Sequence, residues 1–151
     1  MRVALLTTGT EILLGDVRDS HLSFIAQQLL GLGLRISEQR TVPDGLVIRE
    51  ALVELFLKAD ILFVTGGLGP TTDDITREVV SELLGVELVQ DDALMARIEE
   101  RLRTRRIPIT DRISRQAQVP RGAIVLPNKN GTAPGFYLKK NLSRTIASPD
   151  I

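Results

Sequence analysis

Three predicted strands alternate with amphipathic segments in the first 85 residues, and this alternation limits the fold more than any other feature of the chain. Residues 3–8 form a continuous apolar run, residues 34–42 are a second strand, and residues 61–64 are apolar throughout, as the centre of a parallel sheet requires. Each strand is followed by apolar residues at the spacing of one helix face. Strand–helix alternation of this length predicts right-handed crossovers and a parallel sheet with helices on both faces.

The helices that alternate with these strands are predicted at about residues 19–30, 46–58 and 74–84, and the remainder of the chain is less regular. We expect there a charged helix at 91–105, a short helix at 112–118 and strands at 123–126, 135–139 and 144–147, the last two joined as a C-terminal antiparallel hairpin. Because no internal repeat or linker interrupts the pattern, we expect a single domain over residues 1–151.

The composition excludes several classes of protein. Lysine plus arginine and aspartate plus glutamate number 19 each, and this balance argues against a broad electrostatic nucleic-acid interface. The chain has no cysteine and one histidine, His21, which we expect to be exposed or to lie at a helix start rather than to bind a metal. No apolar run approaches the roughly 20 residues of a membrane span, and the N-terminus lacks the pattern of a signal peptide, so we expect a cytoplasmic protein.

A glycine-rich stretch, TGGLGPTTDD at residues 65–74, follows the third predicted strand. Ligands of open α/β sheets bind beyond the carboxyl ends of the strands, where this stretch lies. Glycines let backbone N–H groups approach a ligand, and the start of the following helix favours a phosphate or carboxylate. On this basis, replacing Gly67 with valine is expected to abolish binding while the domain stays folded. The loop lacks the lysine of a Walker motif and the third glycine of a dinucleotide fingerprint.

Carboxylates from three predicted loops reach the same sheet edge. Asp73 and Asp74 would repel a phosphate unless a cation intervenes or they perform proton transfer, so they indicate a Mg²⁺–phosphate site or acid–base chemistry. Glu11 follows the first strand and Asp44 the second. The alternative for Asp73, Asp74 and Asp44 is that they only cap the helices that follow them.

The segment NKNGTAPG at residues 128–135 is a further candidate. The side chains of Asn128, Asn130 and Thr132 offer neutral donors and acceptors suited to a ribose or the edge of a base. The alternative is a plain turn.

Five stretches resemble the N-terminal domain of competence/damage-inducible protein A (CinA), in the MoaB/MogA-like molybdenum-cofactor-biosynthesis fold family. They are GTEILLGD at 9–16, VPD at 42–44, TGGLGPTTDDITREVV at 65–80, RQA at 115–117 and GTAPG at 131–135, in the order of the family. The resemblance implies a three-layer α/β/α sandwich with a mostly parallel sheet. It also implies metal-dependent hydrolysis of the pyrophosphate in ADP-ribose or, as an alternative, a molybdopterin-binding or pterin-transferase domain.

Domains of this type often form dimers or trimers, and we expect a homo-oligomer here. We also expect a nucleotide or pterin as the small-molecule ligand and no nucleic acid or membrane partner. The sequence departs from the family at IASPDI (residues 146–151), where an LPG-x-P-x-E segment is usual, and the second, deamidase domain usual in the family is not expected within these 151 residues. A truncated, non-catalytic remnant is therefore a third alternative.

The resemblance and the loop chemistry together give a set of predicted site residues. The predicted catalytic residues are Asp74, Asp44 and Glu11, and the predicted ligands of a divalent metal, Mg²⁺ or similar, are Asp73 and Asp74. The predicted substrate-binding residues are Thr10, Gly66, Gly67, Leu68, Gly69, Thr71, Thr72, Asn128, Gly131 and Thr132.

Overall fold

A three-stranded parallel sheet forms the centre of the protein. The computed structural model describes residues 1–128 and 131–139. Strands β1 (Val3–Thr8), β2 (Ile36–Val42) and β3 (Ile61–Thr65) pair in the order β2-β1-β3. Every residue of β1 is buried, because this strand has a neighbour on each side. The apolar run of β3 therefore lies at an edge of the described sheet, and the central position that its composition favoured belongs to β1.

Helices cover both faces of this sheet, as predicted for a three-layer α/β fold. The first four are α1 (Thr10–Leu14), α2 (His21–Leu30), α3 (Val47–Lys58) and α4 (Thr76–Leu84). One face of β1, with Ala4 and Leu6, packs in a core with α3 and with Val79 of α4. Leu5 on the opposite face is fully buried as well. Apolar burial on both faces is what holds a parallel sheet in place.

A second unit with its own core follows α4. Strand β4 (Leu88–Gln90) pairs antiparallel with β5 (Gln118–Pro120), and helix α5 (Asp92–Thr104) packs its buried residues against this pair. Between α5 and β5 lie α6 (Asp111–Ser114) and a 3₁₀ helix (Arg115–Ala117), which replace the single short helix predicted at 112–118. The strand β4 was not predicted.

An antiparallel pair closes the described chain. Strand β6 (Ile124–Leu126) pairs with β7 (Gly135–Tyr137), which confirms antiparallel pairing in the C-terminal part but between other strands than the predicted 135–139 and 144–147. The predicted partner segment 144–147 lies outside the described residues. Within the residues that the structure describes, no helix is both long and apolar enough to cross a membrane.

Candidate functional site

A cleft of about 530 Å³ lies at the carboxyl edge of the parallel sheet. Its walls come from the loops that follow β1, β2 and β3. The lining residues are Thr8, Gly9, Thr10, Glu11, Asp44, Gly66, Gly67, Leu68, Gly69, Thr71, Asp73 and Asp74. The structure therefore brings together most of the predicted site, including every predicted catalytic and metal-binding residue.

Four predicted substrate-binding residues lie elsewhere. Thr72 is exposed and does not line the cleft. Asn128, Gly131 and Thr132 line a separate cavity of about 200 Å³ beside α5. Within the described residues, the Asn128 side chain closes its own turn, since it accepts from the amide of Gly131 and donates to the carbonyl of Ala133. This placement fits the plain-turn alternative, and Asn130 lies outside the described residues.

The glycine loop is held from behind by the first residues of α4. The carbonyl of Gly66 accepts a hydrogen bond from Thr76 Oγ1, and the carbonyl of Gly67 accepts one from the Thr76 amide, both at 3.1 Å. The Leu68 carbonyl faces Nη2 of Arg77 at 3.5 Å. Over the described part of the chain, the amides of Gly67, Leu68 and Gly69 donate no hydrogen bond. Free N–H groups in such a loop are donors for an anion.

Gly67 is required by the packing of the loop against Thr76, independently of any ligand. Its φ of 66° lies in the left-handed region, and a Cβ there would meet Thr76 Oγ1 at 2.1 Å. The expectation that valine at this position would affect only binding did not include this contact, because a side chain there would collide with Thr76 and destabilise the fold. Gly69 differs, since a Cβ there would meet the Asp74 carboxylate at 2.6 Å.

The carboxylate of Asp74 closes the turn that precedes α4. Its Oδ2 accepts from the amide of Thr71 at 2.9 Å and from the Thr71 hydroxyl. The helix begins at Thr76, two residues later than predicted, with Ile75 as its N-cap. Within the described residues, Asp73 and Asp74 accept no hydrogen bond from α4, so neither caps it.

Asp44 makes an equivalent connection from another loop. Its Oδ2 accepts from the amide of Thr10 at 3.0 Å and from the Thr10 hydroxyl at 3.3 Å. Its own amide donates to Thr10 Oγ1 at 3.2 Å. Since α3 has Leu46 as its N-cap, Asp44 does not cap the helix that follows it. Instead it satisfies the first amide of α1, across 34 positions of sequence.

A buried arginine lies behind the loop. Arg77 is 2% exposed, and its Nη1 donates to the carbonyl of Arg115 at 2.9 Å. Burial lowers the pKa of the Arg77 guanidinium, the carboxylates of Glu78 and Asp74 oppose that shift, and the charge of Arg115 adds to it. Arg77 was not among the predicted site residues, because a charged residue in the first turn of a helix is ordinarily expected to face solvent.

Comparison with known proteins identifies the family. The family model for a probable molybdopterin binding domain matches residues 4–149. The chain belongs to this family. The resemblance predicted from the sequence motifs is thereby confirmed.

Two similar curated proteins are named as CinA-like or competence-damage inducible proteins. The chain is 43% identical over 138 residues to a CinA-like protein of Akkermansia muciniphila, a match that covers 91% of this chain and 33% of the relative. It is 38% identical over 154 residues to a putative competence-damage inducible protein of Desulforamulus reducens, covering 99% of this chain and 36% of the relative. The chain thus spans about a third of the length of these curated relatives.

Solved structures support the same fold. A CinA protein of unknown function from Thermoplasma acidophilum is 29% identical, with a TM-score of 0.78 over 90% of this chain and 80% of that one. A MogA structure is 22% identical, with a TM-score of 0.52 over 65% of this chain and 64% of that one. The second likeness concerns the fold alone.

The cleft of this molybdopterin-binding-domain member is acidic. Glu11, Asp44, Asp73 and Asp74 line it, and no lysine, arginine or histidine is among its lining residues in the described chain. Asp44 and Asp74 each have one oxygen engaged by a threonine, whereas Glu11 and Asp73 have no hydrogen-bond partner within residues 1–128 and 131–139. No group of three or more metal-binding side chains occurs in the described part. The lining suits a cation that takes one or two carboxylates together with ligand oxygens, as Mg²⁺ does.

Proposed function

We propose that the acidic cleft binds a nucleotide diphosphate such as ADP-ribose together with a divalent cation and hydrolyses its pyrophosphate bond. The observation that carries this proposal is the presence of free loop amides and four carboxylates in one cleft. The amides favour a phosphate, and the carboxylates oppose one unless a cation is present. A ligand that brings both a diphosphate and a divalent ion satisfies the two requirements together.

The residues of the chain take distinct parts in this proposal. Asp73, whose carboxylate is uncommitted, and Asp74, through its second oxygen, would hold the cation. A divalent ion bound there supplies charge neutralisation on the phosphoryl oxygens. The amides of Gly67, Leu68 and Gly69 would stabilise negative charge on the phosphoryl oxygens of the ligand.

Hydrolysis needs a base for the attacking water. Glu11 is exposed and uncommitted, whereas Asp44 is held by Thr10, so Glu11 is the better placed of the two to accept the proton. Water attacks one phosphorus, the bond from that phosphorus to the bridging oxygen breaks, and AMP and ribose 5-phosphate leave. Asp44 acts by fixing the start of α1, from which Glu11 projects.

Binding of molybdopterin without hydrolysis is the second candidate. The description of the matching family favours it. A pterin phosphate would bind to the same loop amides. Because no water is activated in this case, Glu11 would have no role as a base.

A thermal-shift panel of ADP-ribose, AMP and a pterin phosphate, each with and without Mg²⁺, tests these functions. A ligand that binds only the folded state raises the unfolding midpoint. We expect ADP-ribose to raise it more with Mg²⁺ than without, and Asp74→Asn to remove the Mg²⁺-dependent part. Asp92→Asn, an exposed change of the same charge in α5, is the matched control. A shift with the pterin alone, and none with ADP-ribose, would favour the second candidate.

A further inference from the structure

We propose that Arg77 is a positioning residue that sets the orientation of the Leu68–Gly69 peptide group and thereby keeps the Gly69 amide turned toward the ligand. The inference rests on the proposed function for its ligand, and its first measurement below does not depend on that function.

The planarity of the peptide group couples each loop carbonyl to the amide that follows it. The carbonyl of one residue and the amide of the next belong to one rigid plane and point in opposite directions. Holding the Gly66 carbonyl thus turns the Gly67 amide away from α4, and holding the Gly67 carbonyl does the same for Leu68. Thr76 holds both of these carbonyls.

The third peptide plane depends on Arg77. The Leu68 carbonyl lies 3.5 Å from Nη2, a long hydrogen bond in which attraction between the positive charge and the carbonyl dipole is the main contribution. The same guanidinium is anchored at its other nitrogen by the Arg115 carbonyl at 2.9 Å. Arg77 therefore connects the glycine loop to the 3₁₀ helix of the second unit.

The charge of Arg77 has no carboxylate bonded to it in the described residues. Glu78 is paired instead with Arg115 at 2.7 Å, and Arg77 Nε has no hydrogen-bond partner in the described chain. Burying a guanidinium with an unsatisfied N–H is unfavourable, whereas a methionine would fill similar space without that cost. We therefore infer that the cost of burying Arg77 is offset by its effect on the glycine loop, whose Leu68 carbonyl it contacts.

The position of Gly69 links Arg77 to the predicted catalytic group. Gly69 lies against the Asp74 carboxylate, since a Cβ on Gly69 would come within 2.6 Å of Asp74 Oδ2. Rotation of the Leu68–Gly69 peptide would replace the Gly69 N–H in the cleft with a carbonyl oxygen. That oxygen would add to the negative charge of the carboxylates and repel an anion.

The test compares Arg77→Met and Arg77→Lys with Arg115→Met. Arg115, like Arg77, connects α4 to the 3₁₀ helix, in its case through an ion pair with Glu78. Among the described hydrogen bonds, its side chain has no contact with the glycine loop. The first measurement is the ¹⁵N–¹H position and hydrogen exchange of the Gly69 amide by NMR. The second is the Kd for ADP-ribose with Mg²⁺ by calorimetry.

We expect the Gly69 amide signal to move in Arg77→Met and the Kd to rise about tenfold or more, the scale of one charged hydrogen bond. Arg77→Lys keeps the charge and should recover part of the affinity. Arg115→Met should lower the unfolding midpoint, because it removes the ion pair with Glu78. The Gly69 signal should stay in place and the Kd should stay within about twofold of the parent. This difference separates positioning of the loop from a general loss of stability.

An unchanged Gly69 signal in a folded Arg77→Met protein would overturn the inference. If that variant does not fold, Arg77→Gln decides in the same way, because it removes the charge on which the contact with the Leu68 carbonyl depends. If the parent binds ADP-ribose without hydrolysing it, the proposed hydrolysis fails, and the Gly69 signal and the Kd of the variants still test the role of Arg77. If the parent does not bind ADP-ribose, the movement or constancy of the Gly69 signal decides the role of Arg77 by itself.

Discussion

The carboxylate of Asp44 accepts hydrogen bonds from both the amide and the hydroxyl of Thr10, at 3.0 and 3.3 Å. Asp74 is bound in the same way by the amide and hydroxyl of Thr71. Each aspartate thus has one oxygen fixed by the protein, and the other oxygen accepts no hydrogen bond within the described residues. Each threonine–aspartate pair therefore fixes the orientation of its carboxylate at the cleft and leaves the second carboxylate oxygen available to a ligand.

The Thr10–Asp44 pair predicts a measurable coupling. Thr10→Val removes the hydroxyl but keeps the amide, and it should lower the free energy of unfolding by about 0.5–1.5 kcal/mol. Combined with Asp44→Asn, the loss should be less than the sum of the two single changes, as expected for residues in contact. Urea unfolding measures these values. Thr72→Val, at an exposed residue outside the cleft, should change stability by no more than about 0.5 kcal/mol.

Asp74→Asn separates a structural role from a catalytic one. The asparagine oxygen can still accept from Thr71, so stability should fall by about 1 kcal/mol or less. Turnover of ADP-ribose should fall by about two to four orders of magnitude, because the negative charge that would hold the cation is lost. Asp73→Asn should show a smaller loss, and Asp92→Asn none. A rate for Asp74→Asn within about threefold of the parent would contradict the catalytic role of this residue.

Gly67→Ala should destabilise the fold more than Gly33→Ala. Both glycines have a left-handed φ, 66° and 72°, so both alanines carry a backbone cost of about 1–2 kcal/mol. A Cβ at Gly33 meets nothing within 4 Å, whereas one at Gly67 collides with Thr76. Overpacking should add about 1–3 kcal/mol at Gly67 alone. Equal unfolding free energies for the two variants would show that the loop yields without cost.

The ion pair between Arg49 of α3 and Glu82 of α4 predicts part of the acid response. A hydrogen bond from Arg49 holds the pKa of the Glu82 carboxyl below its ordinary value. The stabilisation is therefore fully present above the pKa of the unfolded chain, about 4.3, and is lost as the pH falls through the lower folded value.

Glu82→Gln should lose less stability than the parent over that acid range. Thermal midpoints between about pH 3 and 7 measure the difference. The effect should be small, because both side chains are exposed. Glu99→Gln, on the exposed side of α5 with no ion pair in the described chain, should follow the parent curve. If both variants follow the parent, the pair contributes nothing to stability.

The parts of the fold with a local signal could be predicted from the sequence. Continuous apolar runs located β1 and β3, and the segment predicted at 34–42 located β2, each to within a few residues. The carboxyl-edge rule placed Glu11, Asp44 and Asp74 in one cleft. Strand β4 has three residues and too short a pattern to stand out from a loop.

The remaining features depend on contacts between distant segments. The bond from Thr10 to Asp44 crosses 34 positions, and the contact of Arg77 with Arg115 crosses 38. Neither leaves a periodic trace in one sequence. The separation of Asn128 from the cleft likewise follows from its packing beside α5, which polar composition alone does not encode.

Hydrolysis at the acidic cleft is tested most directly by ³¹P NMR of ADP-ribose incubated with the chain and Mg²⁺, with and without excess chelator. We predict that the diphosphate signals decay and that AMP and ribose 5-phosphate appear in equal amounts, with chelator stopping the reaction. Intact ADP-ribose in the presence of Mg²⁺, or full turnover in excess chelator, would contradict the proposed metal-dependent hydrolysis.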